Sequence, residues 1–402
     1  MFIEILAAVL IGILAGTVTG LIPGLHINLV SLFVVSLLGY LLGFTSPIAL
    51  AVFIIAMAVT HTFLDIIPAV FLGAPDSDVA LGVLPGHKLM MQGMAYQAVK
   101  LTVIGSLFSL LICIAIAPML LPLIPAAYEL LKDWIGWILF AVVVWMILKE
   151  TGLNNKFWAV MVFMLSGILG LIVFNIPNVE QGLFAMLTGL FGISMLIISI
   201  NTIIKIPEQK PDERISIKKK SMLKSIGAAI FSGSLVSFFP GLGPAQGAVI
   251  GSELIRNIKD YSFLILLGGI NTVNMVVSFI TLYTIGKARN GAMIAVAQII
   301  PMDKTSLIIF LISALIAGSI AAVIALIISK AFARIISKLN YKLLCLAVII
   351  FIAAAAFLLS GVLGLLILAI ATSIGLVPNI LKIKRSHAMG CLLLPVILWF
   401  IL

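Results

Sequence analysis

The residues best able to do chemistry in this chain fall within one stretch, 60–92. It reads Thr60-His61-Thr62, then Asp65, then Leu72-Gly73-Ala74-Pro75-Asp76-Ser77-Asp78, then Leu84-Pro85-Gly86-His87-Lys88. His61 and Asp65 are four positions apart, so a helix sets both on one face. A carboxylate beside an imidazole can hold a cation or pass a proton. Asp65 lies deep in an apolar run, where an ionisable group is expensive and is by default a functional candidate. The plain alternative for His61 is that it only satisfies Asp65. Gly73-Ala74-Pro75 should break the helix, after which Asp76 or Ser77 could simply cap a short following helix. The expectation is a cation or proton site built from His61, Asp65, Asp76 and Asp78.

A second kind of chemistry is suggested by a phrase that occurs twice. Residues 20–28 read Gly-Leu-Ile-Pro-Gly-Leu-His-Ile-Asn, and 238–246 read Phe-Phe-Pro-Gly-Leu-Gly-Pro-Ala-Gln. Pro removes a backbone donor and Gly permits positive φ, so a continuous helix is not expected through either. A helix that starts just after the break points free N–H groups and its positive dipole end at whatever lies there, which suits an anion. Pro23, Gly24, Pro240, Gly241 and Gly243 would let a ligand approach the backbone, and His26, Asn28 and Gln246 add polar side chains. The plain alternative is an ordinary surface loop. Two copies with apolar residues tight on both sides argue against it.

The second half also carries an uncharged polar stripe, in Gly268-Gly269-Ile270-Asn271-Thr272-Val273-Asn274 and then Ser278. Asn271, Asn274 and Ser278 follow helical spacing. They either hydrogen-bond between helices, which is common in membranes, or line the substrate path. Lys287 and Arg289 follow an expected helix end at Gly286 and read first as interfacial anchors.

These residues must be positioned by membrane-spanning helices. Hydrophobic residues make up 63% of the 402 and charged residues only 9%, against roughly a quarter charged in soluble proteins. Apolar runs at 101–125, 305–329 and 343–381 exceed the ~20 residues a span requires. Strand-like alternation is absent, so the fold class is an all-α polytopic membrane protein. Segments are expected at 3–20, 27–44, 47–72, 96–125, 133–149, 157–175 and 183–204. In the second half they fall at 223–239, 244–256, 261–285, 291–300, 305–331, 342–359, 361–381 and 388–402. The pieces flanking each Pro-Gly-Leu are candidates for a broken helix or re-entrant hairpin. The N-terminus has no basic region before its apolar run and reads as an uncleaved first segment. Cys113, Cys345 and Cys391 have no metal-like spacing and read as packing residues.

The net charge of +10 sits mostly in short loops, which the positive-inside rule explains without nucleic acid. Residues 205–224 hold seven basic residues against three acidic ones and read as a cytoplasmic linker. Two further basic loops, Lys330 to Lys342 and Lys382 to Arg385, should lie on the same side. The apolar stretch between them then makes two passes, turning at Ser360-Gly361. Similar phrases recur in order, such as Ser166-Gly-Ile-Leu-Gly-Leu-Ile-Val and Ser360-Gly-Val-Leu-Gly-Leu-Leu-Ile. They suggest a first transmembrane repeat over 1–204 and a second over 225–402, read as inverted.

Four phrases carry a resemblance. They are Phe239-Pro-Gly-Leu-Gly-Pro-Ala, Gly73-Ala-Pro-Asp with Leu84-Pro-Gly-His-Lys, Gly269-Ile-Asn-Thr-Val-Asn, and Met389-Gly-Cys-Leu-Leu-Leu-Pro. With them the chain resembles the large membrane subunit of tripartite tricarboxylate transporters, over nearly its whole length. His26 and Asn28 stand where that family typically continues Gly-Pro, which points to a divergent, archaeal branch. The resemblance implies a permease in the cell membrane that takes up di- or tricarboxylates, with a small membrane subunit and an extracytoplasmic binding protein as partners. The residues imply anion recognition and coupling to Na⁺ or H⁺, with no other cofactor. A lipid-linked phosphate such as a polyprenyl phosphate would suit a helix-tip anion site equally, making a flippase the alternative. An intramembrane enzyme built on the His and Asp residues is the weaker third reading. No Walker loop, His-Glu-x-x-His or Cys pair supports it.

Overall fold

Three glycines one helical turn apart, Gly12, Gly16 and Gly20, decide how the first helix packs. In a computed structural model of the chain, α1 (Phe2–Leu21) lies against α4 (Pro47–Leu64). A Cβ at Gly16 would sit 2.4 Å from the Met57 carbonyl oxygen, and one at Gly20 would sit 2.8 Å from Leu64 Cβ. Small residues permit this backbone approach, which in a bilayer replaces the hydrophobic drive between helices. The structure describes residues 2–23, 27–75, 77–177, 182–201, 206–212, 215–239, 242–255, 258–288, 290–338 and 340–402.

Glu4 fixes the direction of the pair. Its carboxylate accepts from Thr45 Oγ1 at 3.0 Å and from the Ser46 amide at 2.6 Å. The starts of α1 and α4 therefore lie together, and the two helices run parallel. Between them α2 (Ile27–Ser36) and the single turn α3 (Leu38–Leu41) bring the chain back. α5 (Ile66–Phe71) prolongs α4 past Asp65. The chain then breaks at Gly73, whose φ of +65° suits glycine. A 3₁₀ turn at Ser77–Gly82 and α6 (Val83–Met90) follow.

α7 (Ala95–Ala115) ends at Ile116, and α8 (Ala117–Leu131) begins a new helix. The single segment expected over 96–125 is thus two helices, because Pro118 lacks the amide that a continuous helix would use. α8 and α9 (Ile135–Leu148) are bent by 79° to each other. α10 (Leu153–Asn175), α11 (Gly182–Leu187), a π-helical turn at Thr188–Ile193 and α12 (Ser194–Asn201) complete the first half.

The linker is shorter than its charge pattern suggests. α13 (Lys219–Phe238) already begins at Lys219, so the last basic residues of 205–224 lie on its first turn and a half. Residues 206–210 lie along the start of α7. Gln209 Nε2 donates to the Met90 and Pro207 carbonyls at 3.0 and 2.8 Å, and its Oε1 accepts from the Ala95 amide at 3.0 Å.

α13 pairs with α15 (Asp260–Ile285) much as α1 pairs with α4. Ser221 and Ser262, near the two starts, are hydrogen-bonded at 2.8 Å, and Gly233 packs on Val273. α14 (Pro244–Leu254) returns between them. The start of α15 lies beside α6, where Lys88 meets Asp260 at 2.6 Å, so the second pair runs opposite to the first.

α16 (Gly291–Ile299) and α17 (Lys304–Ile336) lead to α18 (Tyr341–Leu381). Gly361 breaks α18 with φ +62° and ψ −154°, and Gly364 lies against Ala356 beyond the turn. The chain therefore turns at Ser360-Gly361, where the sequence places a break. A 3₁₀ turn at Arg385–Met389 and α19 (Gly390–Ile401) end the chain. Among the described residues seven helices are long and apolar enough to cross a membrane, or eight if the bent α8–α9 pair is one span. This is an all-α polytopic membrane protein.

Candidate functional site

α4 and α15 are buried along nearly their whole length, while α1, α17 and α18 present apolar side chains outward. That difference explains where the polar residues went. Only a helix surrounded by protein can satisfy them, so the polar groups concentrate on the two central helices.

The two helices meet through those groups. Asn271 Nδ2 donates to Asp65 Oδ2 at 2.6 Å, and the Thr62 and Thr272 hydroxyls are 3.2 Å apart. Asp65 and Asn271 are each only 2% exposed. His61 turns the other way, with Nδ1 3.1 Å from Thr19 Oγ1 on α1. The Asn274 side chain makes no hydrogen bond among the described residues, although it is almost buried. Ser278 Oγ donates to the Asn274 carbonyl at 2.6 Å and accepts from Asn290 Nδ2 at 3.1 Å.

Both broken-helix tips adjoin this contact. α1 ends at Leu21, with Pro23 in the bend that follows, and Gly20 packs on Leu64 and the Asp65 amide. In the second half, Gly243 precedes α14, and its amide donates to Gln246 Oε1 at 3.0 Å. Gln246 thus caps the helix from its third position. Asp78 approaches from the 3₁₀ turn, its Oδ1 3.7 Å from where a Gly243 Cβ would lie. One turn into α14, Gly247 packs on Ile270, the neighbour of Asn271. Gly24, His26, Asp76, Pro240, Gly241 and Arg289 lie outside the described residues, as does the Asn28 side chain. Asn28 itself is in the first turn of α2. Among the described residues no group of three or more His, Cys, Asp or Glu side chains could hold a metal ion.

A second polar cluster lies on the linker face, and sequence reasoning did not find it. The Arg385 guanidinium is buried over the π-helical turn. Its Nη2 donates to the Leu190 and Phe191 carbonyls at 3.2 and 2.7 Å and to Ser194 Oγ at 3.0 Å, and it stacks on the Phe191 ring at 5.7 Å. Nearby, His387 Nε2 meets Glu150 Oε1 at 2.9 Å. Burial lowers the His387 pKa more than Glu150 raises it. Burial, with Arg385 close by, lowers His87 to about 4. In the sequence Arg385 reads only as a loop charge. It stands beside Lys384 in Ile383 to Met389, and nothing there names the carbonyls that Arg385 binds. Lys287, by contrast, behaves as an exposed anchor, donating to Tyr128 Oη at 2.9 Å.

The family model for the tripartite tricarboxylate transporter TctA family matches residues 6–390. An uncharacterized protein of Methanocaldococcus jannaschii is 32% identical over 366 residues, covering 87% of this chain and 88% of that protein. No solved structure matches.

Proposed function

Because the chain belongs to the tripartite tricarboxylate transporter TctA family, we propose that it is the secondary transporter subunit that carries a small di- or tricarboxylate across the cell membrane, driven by a Na⁺ or H⁺ gradient. The observation that carries this reading is the buried Asp65–Asn271 contact between the two central helices, beside both interrupted helices. A carboxylate at that place is a natural cation or proton site. The helix that starts at Pro244 has first-turn N–H groups of the kind an anionic substrate needs, and one turn on its Gly247 packs on Ile270, the neighbour of Asn271. Asn274, with its amide unengaged among the described residues, adds a polar group for the substrate.

The two halves are read as an inverted duplication around the linker. Supporting this, α1 and α4 run parallel in one direction and α13 and α15 run parallel in the other. The basic face carrying the linker, Lys330 and Lys384 is read as cytoplasmic by the positive-inside rule. A small membrane subunit and an extracytoplasmic binding protein are the partners to look for.

The test is uptake of labelled citrate and succinate by the purified protein in liposomes under imposed Na⁺ or H⁺ gradients. The reading expects accumulation that follows one gradient and collapses with an ionophore. Flux indifferent to both gradients would overturn the coupling, and no flux of any carboxylate, with the partner proteins added, would overturn the transport assignment.

A further inference from the structure

On the linker face a cleft of ≈ 710 Å³ opens between α6, the end of α14, the start of α15 and the 384–386 turn. It is not the Asp65–Asn271 site. Its lining includes five cations, and only two carboxylates, Glu253 and Asp260, stand among them. Both carboxylates are already engaged, Asp260 by Lys88 at 2.6 Å and Glu253 by Lys149 at 2.7 Å. The three other cations, Lys259, Lys384 and Arg385, have no carboxylate partner among the described residues.

Arg385 is the telling member. It is 7% exposed, lines the cleft, and its Nε–H has no hydrogen-bond partner among the described residues. A buried donor on a charged group that lacks a partner is costly and calls for an acceptor. The guanidinium's other side is fixed by the Leu190 and Phe191 carbonyls, so it cannot turn away to solvent. Burial lowers its pKa only to about 10, and it stays charged at neutral pH. Lys259 and Lys384 are exposed at the rim and can move to meet a ligand.

We infer that this cleft is a binding site for a small organic anion with two or three carboxylates, formed by Arg385 at its base and Lys259 and Lys384 at its rim. Two or three unpaired cations around one space suit a multivalent anion better than a single charge. The inference rests on the transport reading for its ligand class, and it places a station for the carried anion at the linker-side end of the path.

The test is protection of an introduced cysteine. Cys113, Cys345 and Cys391 are buried, so a water-soluble maleimide should report added sites only. Ser386→Cys lies in the cleft and Ser216→Cys on the exposed linker. In the full-length protein in detergent at low salt, citrate should slow labelling of Ser386→Cys at least threefold and leave Ser216→Cys unchanged. Adding Lys259→Ala and Lys384→Ala, both at exposed positions, should remove the protection. It should also fade with salt, since screening shortens the reach of rim charges to ~10 Å at 0.1 M. No protection by citrate or succinate would overturn the inference, as would equal protection in the double-alanine protein. Protection by inorganic phosphate alone would overturn the ligand class. Transport without protection removes only this site, whereas protection without transport removes only the transport reading.

Discussion

Asn271 and Asp65 are 206 positions apart, yet the amide donates to the carboxylate at 2.6 Å between two helices buried almost end to end. A hydrogen bond to a charged group typically contributes about 1.5–3 kcal/mol, and a buried carboxylate that loses its donor is destabilised by at least as much.

Asp65→Asn keeps the shape and removes the charge. It should abolish gradient-driven uptake, with at least a tenfold loss, while the protein still inserts and elutes as a single species. Asn271→Ala should lower uptake and also lower the melting temperature, because it removes a close donor from the buried carboxylate. In a double-mutant cycle the two changes should be non-additive by ~1 kcal/mol or more. Uptake in Asp65→Asn equal to wild type would remove Asp65 from the mechanism.

Glycines that pack should behave differently from the glycines of the two Pro-Gly-Leu phrases. A Cβ at Gly12 would lie 2.6 Å from the Phe53 carbonyl oxygen. Gly12→Val should therefore cost ~1–3 kcal/mol of stability by overpacking and lower expression. Gly24→Val and Gly241→Val should instead stop transport with the fold kept, as expected where the backbone meets a ligand. Thermal melts beside uptake assays separate the two classes. Equal effects on both readouts at all three positions would end the distinction.

His87 sets a pH dependence with a definite sign. Its folded pKa is near 4, below the ordinary 6.5, because burial disfavours the charged ring. Between those values the unfolded chain takes up a proton that the folded protein refuses. Stability should be level above pH 6.5 and fall as pH drops from 6.5 to 4, by an amount on the order of 3 kcal/mol. His387 shifts in the same direction and adds to the slope. Melting curves of wild type and His87→Leu across this window check it, with a flatter dependence expected for the variant.

The linker is held by Gln209, whose amide bridges the Met90 and Pro207 carbonyls and the Ala95 amide. Gln209→Leu takes its side-chain bonds from the Ala95 amide and the Pro207 carbonyl, while the Met90 carbonyl keeps the Gly93 amide, at a cost of ~1–3 kcal/mol where the lost groups stay buried. Tryptic cleavage after Lys218 should then become several-fold faster, with the transmembrane core still resistant. An unchanged cleavage rate would mean that the linker is held by other contacts.

The sequence by itself determined the class of the protein and the places where its helices cannot continue. Long apolar runs require a bilayer, and the breaks at Gly73 and Gly361 follow from local backbone preferences, so both were legible one segment at a time. The burial of His61, Asp65 and Asn271 was legible as well, because charged or amide groups inside an apolar run have nowhere else to go. Only the tertiary structure decided their partners. Nothing near Asp65 in the chain names Asn271, nothing near Glu150 names His387, and Gln246 reads as a ligand group until it is seen capping α14. Arg385 looked like a loop charge because its partners are main-chain carbonyls exposed by a π-helical turn, which no side-chain pattern announces. Hydropathy and periodicity record how apolar a residue's surroundings must be. Which helix supplies those surroundings depends on backbone approach at small residues such as Gly16 and Gly233, and those contacts take shape only when the separate segments pack together.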